Sequence, residues 1–358
     1  MQSTETESSF QWWNRLKKNK LALTGLFILG FTFILAVSAY WIVPDHSPYA
    51  NRMIVEIGGR KPGFKQSFLV IDSTPVKVNH FFSRSINGQK ELATYIPITM
   101  HIEKGDTVIV QRFLDEGVTT EEKFTLKSGD FRFETKHFLL GTDKFGRDIL
   151  SRLIIGTRVS LSVGLIAVLI SLIIGVTLGA VAGYYGSKVD EAIMWLINVV
   201  WSMPTLLLVF AITMALGRGF WQVFIAVGLT LWVNVARVIR GQVKSIRELE
   251  YIDAARALGF SGFRIIGRHI LPNVLGPIMV VAAANFASAI VIEAGLSFLG
   301  VGVQSPQPSW GLMIRENYNF IITHNPFLAI IPGIAIMILV LALNILGNGL
   351  RDALDVRS

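Results

Sequence analysis

Cysteine is absent from the 358-residue chain, so disulfides, thiolate zinc sites and Fe–S clusters are all excluded. The six histidines, His46, His80, His101, His137, His269 and His324, are scattered without the short spacings of metal ligands. Each reads as a surface or interfacial residue. No Gly-x-x-x-x-Gly-Lys-Ser/Thr phosphate loop occurs, which leaves the chain without the usual cradle for ATP. Charge is scarce as well, with 16% of residues charged against 52% apolar, and the apolar residues gather in long runs that read as membrane spans. Asp, Glu and His do not recur through those runs, which speaks against a buried proton relay.

The formal net charge is +8, a balance that could serve nucleic acid or an anionic surface. Lys and Arg instead flank the apolar runs on one side, which points to a lipid bilayer and away from nucleic acid. Arg15, Lys17, Lys18 and Lys20 precede the first run, 21–43, whose roughly 22 residues suffice to cross about 30 Å of hydrocarbon as a helix. A cleaved signal peptide is the competing reading, with Val37-Ser38-Ala39 as a passable cleavage site; its apolar part would be only about 7–15 residues. Five further spans are expected near Val159–Tyr184, Ile193–Leu216, Phe220–Val238, Asn273–Leu299 and Phe327–Leu346. With the N-terminus in the cytoplasm, the connections 185–192 and 239–272 and the tail 351–358 are cytoplasmic too. The second connection holds Arg240, Lys244, Arg247, Arg256, Arg264 and Arg268, and the tail adds Arg351 and Arg357, whereas Arg218 and Arg315 are the basic residues of the external turn 217–219 and loop 300–326. That distribution obeys the positive-inside rule.

Residues 44–137 differ, being polar and mixed in charge. Ile96, Ile98, Met100 and Ile102 alternate with Pro97, Thr99 and His101, Lys104-Gly105-Asp106 reads as a turn, and Val108 and Val110 alternate onward, which predicts a hairpin. Phe124 and Leu126, Ser128-Gly129-Asp130, then Phe131 and Phe133 repeat the pattern. Pro62, Pro75 and Pro97 limit its regularity. The fold class expected is an all-α polytopic membrane protein of six transmembrane helices with a small β-rich extracytoplasmic insert between the first and second. In residue terms this is an N-terminal segment 1–20, a first helix 21–43, an insert 44–137, a core 138–350 with five helices, and a tail 351–358. The insert is read either as packing or as a surface for another protein.

Polar groups inside the spans call for an explanation, because a charge near the bilayer centre costs on the order of 2.5–3.5 kcal/mol on insertion scales. Glu293 is the charged exception; it lines a route or meets a neighbouring subunit, or it sits at headgroup level. Asn198, Asn234, Asn285 and Asn344 are expected to face other helices, with pathway lining open for some. Gly175, Gly179 and Gly183 recur every four residues, a face suited to close helix contact. Pro204, Pro277 and Pro332 should kink or loosen their helices.

The chain is organised around Tyr251-Ile252-Asp253-Ala254-Ala255-Arg256-Ala257-Leu258-Gly259, continuing through Ser261 to Leu271-Pro272. Ile246, Leu249, Ile252 and Ala255 recur at helical spacing, Gly259 is a stop, and Ser261 can cap a second short helix carrying Phe263, Ile266 and Ile270. Helix, glycine corner, helix is the reading. Adjacent alanines let another backbone come close, so the stretch serves as a docking surface or as an ordinary connection.

The string Asp253-Ala254-Ala255, Gly259 and Leu271-Pro272 resembles the EAA loop by which permease subunits of binding-protein-dependent ABC importers engage their ATPase. Asp253 stands for the usual Glu, and His269 where Ile is usual. Arg268-His269-Ile270-Leu271-Pro272-Asn273, Gly141-Thr142-Asp143-Lys144-Phe145-Gly146-Arg147-Asp148 and Glu293-Ala294-Gly295-Leu296-Ser297-Phe298-Leu299-Gly300 look like the dipeptide/oligopeptide/nickel branch, second or C-type permease. The resemblance covers about 10–44 and 137–358. It implies a non-enzymatic subunit of the bacterial plasma (inner) membrane, with no cofactor, working by alternating access with a second homologous permease, two ATPase subunits and an extracytoplasmic solute-binding protein.

By that resemblance Tyr251, Asp253, Ala254, Ala255, Gly259, Leu271 and Pro272 form the ATPase-coupling loop. Asp253 would hold the coupling helix, both alanines would fit the partner's groove, and Leu271-Pro272 would start the next span. Gly141, Asp143, Gly146, Arg147 and Asp148 belong to an external signature, and Glu293, Asn285 and Asn234 are candidates for the path or a subunit contact. Short peptides are the expected cargo, with nickel chelates, opines and glutathione-like solutes as alternatives. An ATP-independent secondary transporter or channel, and a membrane-anchored sensor or assembly factor acting through the insert, are the competing functions.

Overall fold

Leu-, Ile- and Ala-rich runs of this length form helices because a helix satisfies every backbone N–H and C=O within its own segment. In the computed structural model, residues 12–72, 81–89, 93–104, 107–126, 130–217, 219–322 and 325–354 are described; Pro75, His80, Gly105, Asp106, Ser128, Gly129, Arg218, His324 and Arg357 lie outside them. The elements in order are α1 (Lys20–Ile42), β1 (Phe64–Asp72), α2 (Phe81–Asn87), β2 (Ala93–Lys104), β3 (Thr107–Asp115), β4 (Val118–Thr125), β5 (Phe131–Phe138), α3 (Ile149–Tyr185), α4 (Ser187–Trp201), α5 (Thr205–Leu216), α6 (Phe220–Arg247), α7 (Glu250–Ala257), α8 (Leu275–Leu299), α9 (Trp310–Asn317) and α10 (Phe327–Leu354). Among the described residues, five helical runs are long and apolar enough to cross a membrane, or six if α4 and α5 count as one broken span.

Three expectations change. The span expected near Val159–Tyr184 starts earlier, as the 37-residue helix α3 from Ile149, since neither Gly156 nor any proline interrupts it. The predicted span Ile193–Leu216 is two helices bent by 90°: Pro204 has no N–H to continue α4 and disfavours helical backbone at Met203. Pro277 does not break α8, because it lies in its first turn, where a missing N–H has no intrahelical partner to lose. Pro332 lies inside α10.

The chain divides into two compact units. One comprises Met1–Phe33, Ser160–Gln304 and Ala335–Ser358. Its centre is α6, with Phe224, Val227, Leu231, Val235, Ala236 and Ile239 buried. A Cβ on Gly179 would stand 2.5 Å from the Ala236 carbonyl oxygen, and one on Gly175 2.7 Å from that of Trp232. The small-residue face therefore brings the backbones of α3 and α6 together. Below that seam Val243, Ile252, Ala255, Ile265 and Ile270 share one buried cluster. Leu16 packs with Ala22 and Ala353 in another.

The other unit comprises Ile34–Val159 and Ser305–Ile334 and holds a five-stranded antiparallel sheet in the order β4-β3-β2-β1-β5. The predicted β2–β3 hairpin is present. The second predicted repeat is not a hairpin: β4 pairs β3 and β5 pairs β1 at the opposite edge. Strand β1 carries no alternating pattern. Its run Phe68-Leu69-Val70-Ile71 is apolar at every position because Phe68 and Val70 join one cluster and Leu69 and Ile71 another, so both faces are covered.

Substituting Gly179→Val should push α3 from α6, lowering stability in detergent by about 1–3 kcal/mol. Thermal melting of the purified variant measures this, and an unchanged midpoint would contradict the close contact.

Candidate functional site

The 251–272 stretch folds as a short helix closed by a left-handed glycine. On α7, Ile252 and Ala255 are buried three residues apart, while Asp253, Ala254 and Arg256 face outward. The Gly259 N–H donates to Arg256 O (2.9 Å) and the Phe260 N–H to Ala255 O (3.2 Å), the paired bonds of a Schellman ending. Gly259 has φ +76° with open space where a Cβ would stand, so glycine serves the backbone here. Ser261 precedes the next turn, Gly262–Ile265, but its side chain makes no cap bond.

The expected docking face is thereby redrawn. Ala255 packs into the chain's own core with Ile252, Ile265 and Ile270, so of the two alanines Ala254 alone is presented outward. Leu249 flanks α7 and is 47% exposed, and Phe263 is 86% exposed, so neither continues the buried face read from their spacing. Leu258 (74%) and Phe263 are instead the two most exposed apolar side chains of the loop, and the sequence reading missed Leu258 because a helical period assigns faces only within a helix. Asp253 Oδ1 accepts from Arg256 Nη1 at 2.8 Å, an exposed pair that contributes little to stability. Tyr251 Oη accepts from Asn273 Nδ2 at 3.4 Å, and Leu271-Pro272 forms a 3-10 turn ahead of α8.

The turn Gly141–Asp148 is a buried ionic knot. Asp143 Oδ1 accepts from the backbone N–H groups of Phe145 (2.9 Å) and Arg147 (3.0 Å), and its Oδ2 from Arg147 Nε (2.5 Å). Arg147 Nη2 donates to Glu316 Oε2 at 2.6 Å, which also takes Arg152 Nη2 at 3.4 Å. Both arginines are fully buried, and two cations face two carboxylates. Gly146 (φ +72°) admits no side chain: a Cβ would lie 1.7 Å from Ile54 O, and on Gly141 2.2 Å from Arg60 O. Asp148 caps α3 by accepting from Ser151 N–H (2.9 Å) and its hydroxyl, while burial pushes its carboxyl above the ordinary range. Sequence motif and backbone constraint coincide here.

Glu293 is fully buried within this chain, its Oε1 accepting from Ser297 Oγ at 2.7 Å. Ser297 Oγ in turn accepts from Val303 N–H at 3.0 Å, so the Glu293–Gly300 motif ties the end of α8 to the turn at 301–303. Asn285 is buried too, donating to Leu231 O (3.2 Å) and Ser171 Oγ (3.4 Å). Neither faces the open groove between α5, α6, α8 and α10. That groove, about 380 Å³, is lined by Thr205, Asn234, Ser288 and Asn344 among apolar side chains. Neither Asn234 nor Asn344 has a side-chain hydrogen-bond partner among the described residues. In hydrocarbon an unpaired amide costs roughly 2–7 kcal/mol, which makes a lipid-facing position unfavourable for both.

Several helices long and apolar enough to span a membrane, with a partly polar groove among α5, α6, α8 and α10, define a multi-pass membrane protein. The family model "Binding-protein-dependent transport system inner membrane component" matches residues 175–358, and "N-terminal TM domain of oligopeptide transport permease C" matches 10–54. The chain belongs to this family and is a permease subunit of the ABC importer type. It is 34% identical over 96% of its length to the "Dipeptide transport system permease protein DppC" of Bacillus subtilis, covering 84% of that protein. It is 45% identical over 60% of its length to the DppC of Alkalihalophilus pseudofirmus, covering 70% of it. To the "Glutathione transport system permease protein GsiD" of Pectobacterium atrosepticum it is 42% identical over 60%, covering 71%.

Replacing Arg147 by Met leaves Arg152 as the one cation facing Asp143 and Glu316, an unbalanced charge in a buried cluster. The variant should lose about 3–5 kcal/mol of stability, read as reduced folded protein in the membrane and a lower melting temperature, whereas Arg256→Met on the exposed pair should change it by less than about 1 kcal/mol.

Proposed function

We propose that this chain forms half of the translocation path of an ATP-driven importer for short peptides and takes its power stroke through α7. The observation that carries the reading is the loop's geometry. A rigid helix, closed by Gly259 and bolted by Ile252 and Ala255 to the core below α6, presents Ala254, Leu258 and Phe263 to a partner. A short apolar knob on a rigid base transmits displacement without chemistry of its own. Its partner is an ATPase subunit, present in two copies beside a second permease. The loop and both termini lie in the cytoplasm, and the sheet lies outside, where a solute-binding protein delivers cargo.

Peptide cargo is supported by the names of the relatives and by the groove's chemistry. Thr205, Asn234, Ser288 and Asn344 offer neutral donors and acceptors to peptide backbone, with no charge to favour one side chain over another. Asn234 is thus kept as a path residue and joined by Asn344; Glu293 and Asn285 act in this reading as internal struts.

The test is uptake and ATP hydrolysis by the complex purified through a tag on this chain. Gly259→Asp should leave membrane levels unchanged and ATPase activity present, yet lower uptake of radiolabelled alanyl-alanine by about tenfold or more. Absence of an ATPase from the complex, or full uptake by the variant, would sink the assignment. Orientation is tested separately: a cysteine at Leu258 should be shielded from an impermeant reagent in intact cells.

Because the chain has no cysteine, any introduced thiol is its own probe. Asn344→Cys and Ser288→Cys should react with a charged thiol reagent much faster than Phe27→Cys, a position exposed on an apolar helix. Equal rates would remove the groove from the path.

A further inference from the structure

The ion pair between Asp190, in the first turn of α4, and Arg240, on α6, has a geometry that a merely electrostatic surface contact does not need. Arg240 Nε donates to Asp190 Oδ1 at 2.5 Å and Nη2 to Oδ2 at 2.6 Å, the two-pronged arrangement that fixes orientation as well as distance. The side chains are 25% and 19% exposed. On one side of Arg240 along α6, Val243 and Ile246 pack with Ile252 and Ala255 of α7. On the other, Trp232, Val233 and Ala236 pack with Ile193, Met194 and Ile197 of α4. The pair thus sits at the junction between the docking helix and the bent α4–α5 element.

Apolar surfaces resist separation but permit sliding, because burial is not directional. A bidentate guanidinium–carboxylate fork does not slide. At the far end of α4 the Arg237 guanidinium stacks 3.4 Å over the Trp201 ring, so α4 is held to α6 at both ends. Beyond Trp201 the chain turns 90° into α5, whose first residue, Thr205, lines the groove with Asn234.

We propose that Asp190 and Arg240 are positioning residues for transport: their fork makes α4 and α5 follow any displacement that α7 imposes on α6, and so links docking-helix motion to the groove wall. This rests on the function proposed above.

The experiment uses the complex purified through a tag on this chain and reconstituted in vesicles with its solute-binding protein, measuring ATP hydrolysed per radiolabelled alanyl-alanine taken up. Asp190→Asn and Arg240→Asp should each raise that ratio about tenfold, a coupling loss within the usual range, at unchanged amounts of assembled complex. The double variant with Asp190→Arg and Arg240→Asp should recover most of the wild-type ratio. Single variants with a wild-type ratio overturn the proposal, as does a parallel fall of hydrolysis and uptake that signals lost folding. A double variant no better coupled than the singles overturns it too. Failure of the wild-type complex to couple hydrolysis to uptake would instead overturn the underlying function.

Discussion

The contact on which the helical unit depends is the approach of α3 to α6. Gly175 and Gly179 place one helix backbone against the carbonyls of Trp232 and Ala236, and Gly228 answers from the other side against Ile170 and Ala167. In lipid there is little hydrophobic drive between helices, so close van der Waals packing of small residues has to supply the association. Because α6 is held this closely, it can carry three features along its length: the groove amide Asn234, the fork residue Arg240, and the base on which α7 is packed.

The two longest polar motifs use their charges in opposite ways. Asp143 and Arg147 of the Gly141–Asp148 turn pair with each other and with Arg152 of α3 and Glu316 of α9, so the motif is architecture: removing one member leaves an unbalanced charge in a dry environment. In the 251–259 helix, Asp253 and Arg256 are exposed, and the buried positions are small or apolar. Exposed charge there costs the chain little and stays available to another surface.

Much was legible without coordinates. Uninterrupted apolar runs can only be helices in lipid, so the existence of α1, α3, α6, α8 and α10 followed from run length. The alternation of Ile96 to Ile102 marked β2, although Ile96 and Ile98 are buried there while Met100 and Ile102, beyond a register shift, are exposed. Strand β1 was invisible, as apolar packing on both faces removes the alternation. The broken α4–α5 element was read as one span although Pro204 stood in plain view, because a proline kink and a right-angle break look alike in a string of apolar letters. Ala254 and Ala255 differ by about 100° of helix rotation, and the packing of Ile252, Ile265 and Ile270 selects Ala255 as the one that turns inward.

Composition and pattern alone determined that this is a membrane-spanning, cysteine-free chain with a polar insert after its first apolar run, since these follow from residue chemistry and spacing local to each segment. Tertiary structure alone decided that Glu293 and Asn285 are internal, that Asn234 and Asn344 share a groove, and that Asp190 meets Arg240 fifty residues away. Those facts depend on which helix faces which, and small differences in rotation and register between packed helices set them without leaving a periodic trace in the sequence.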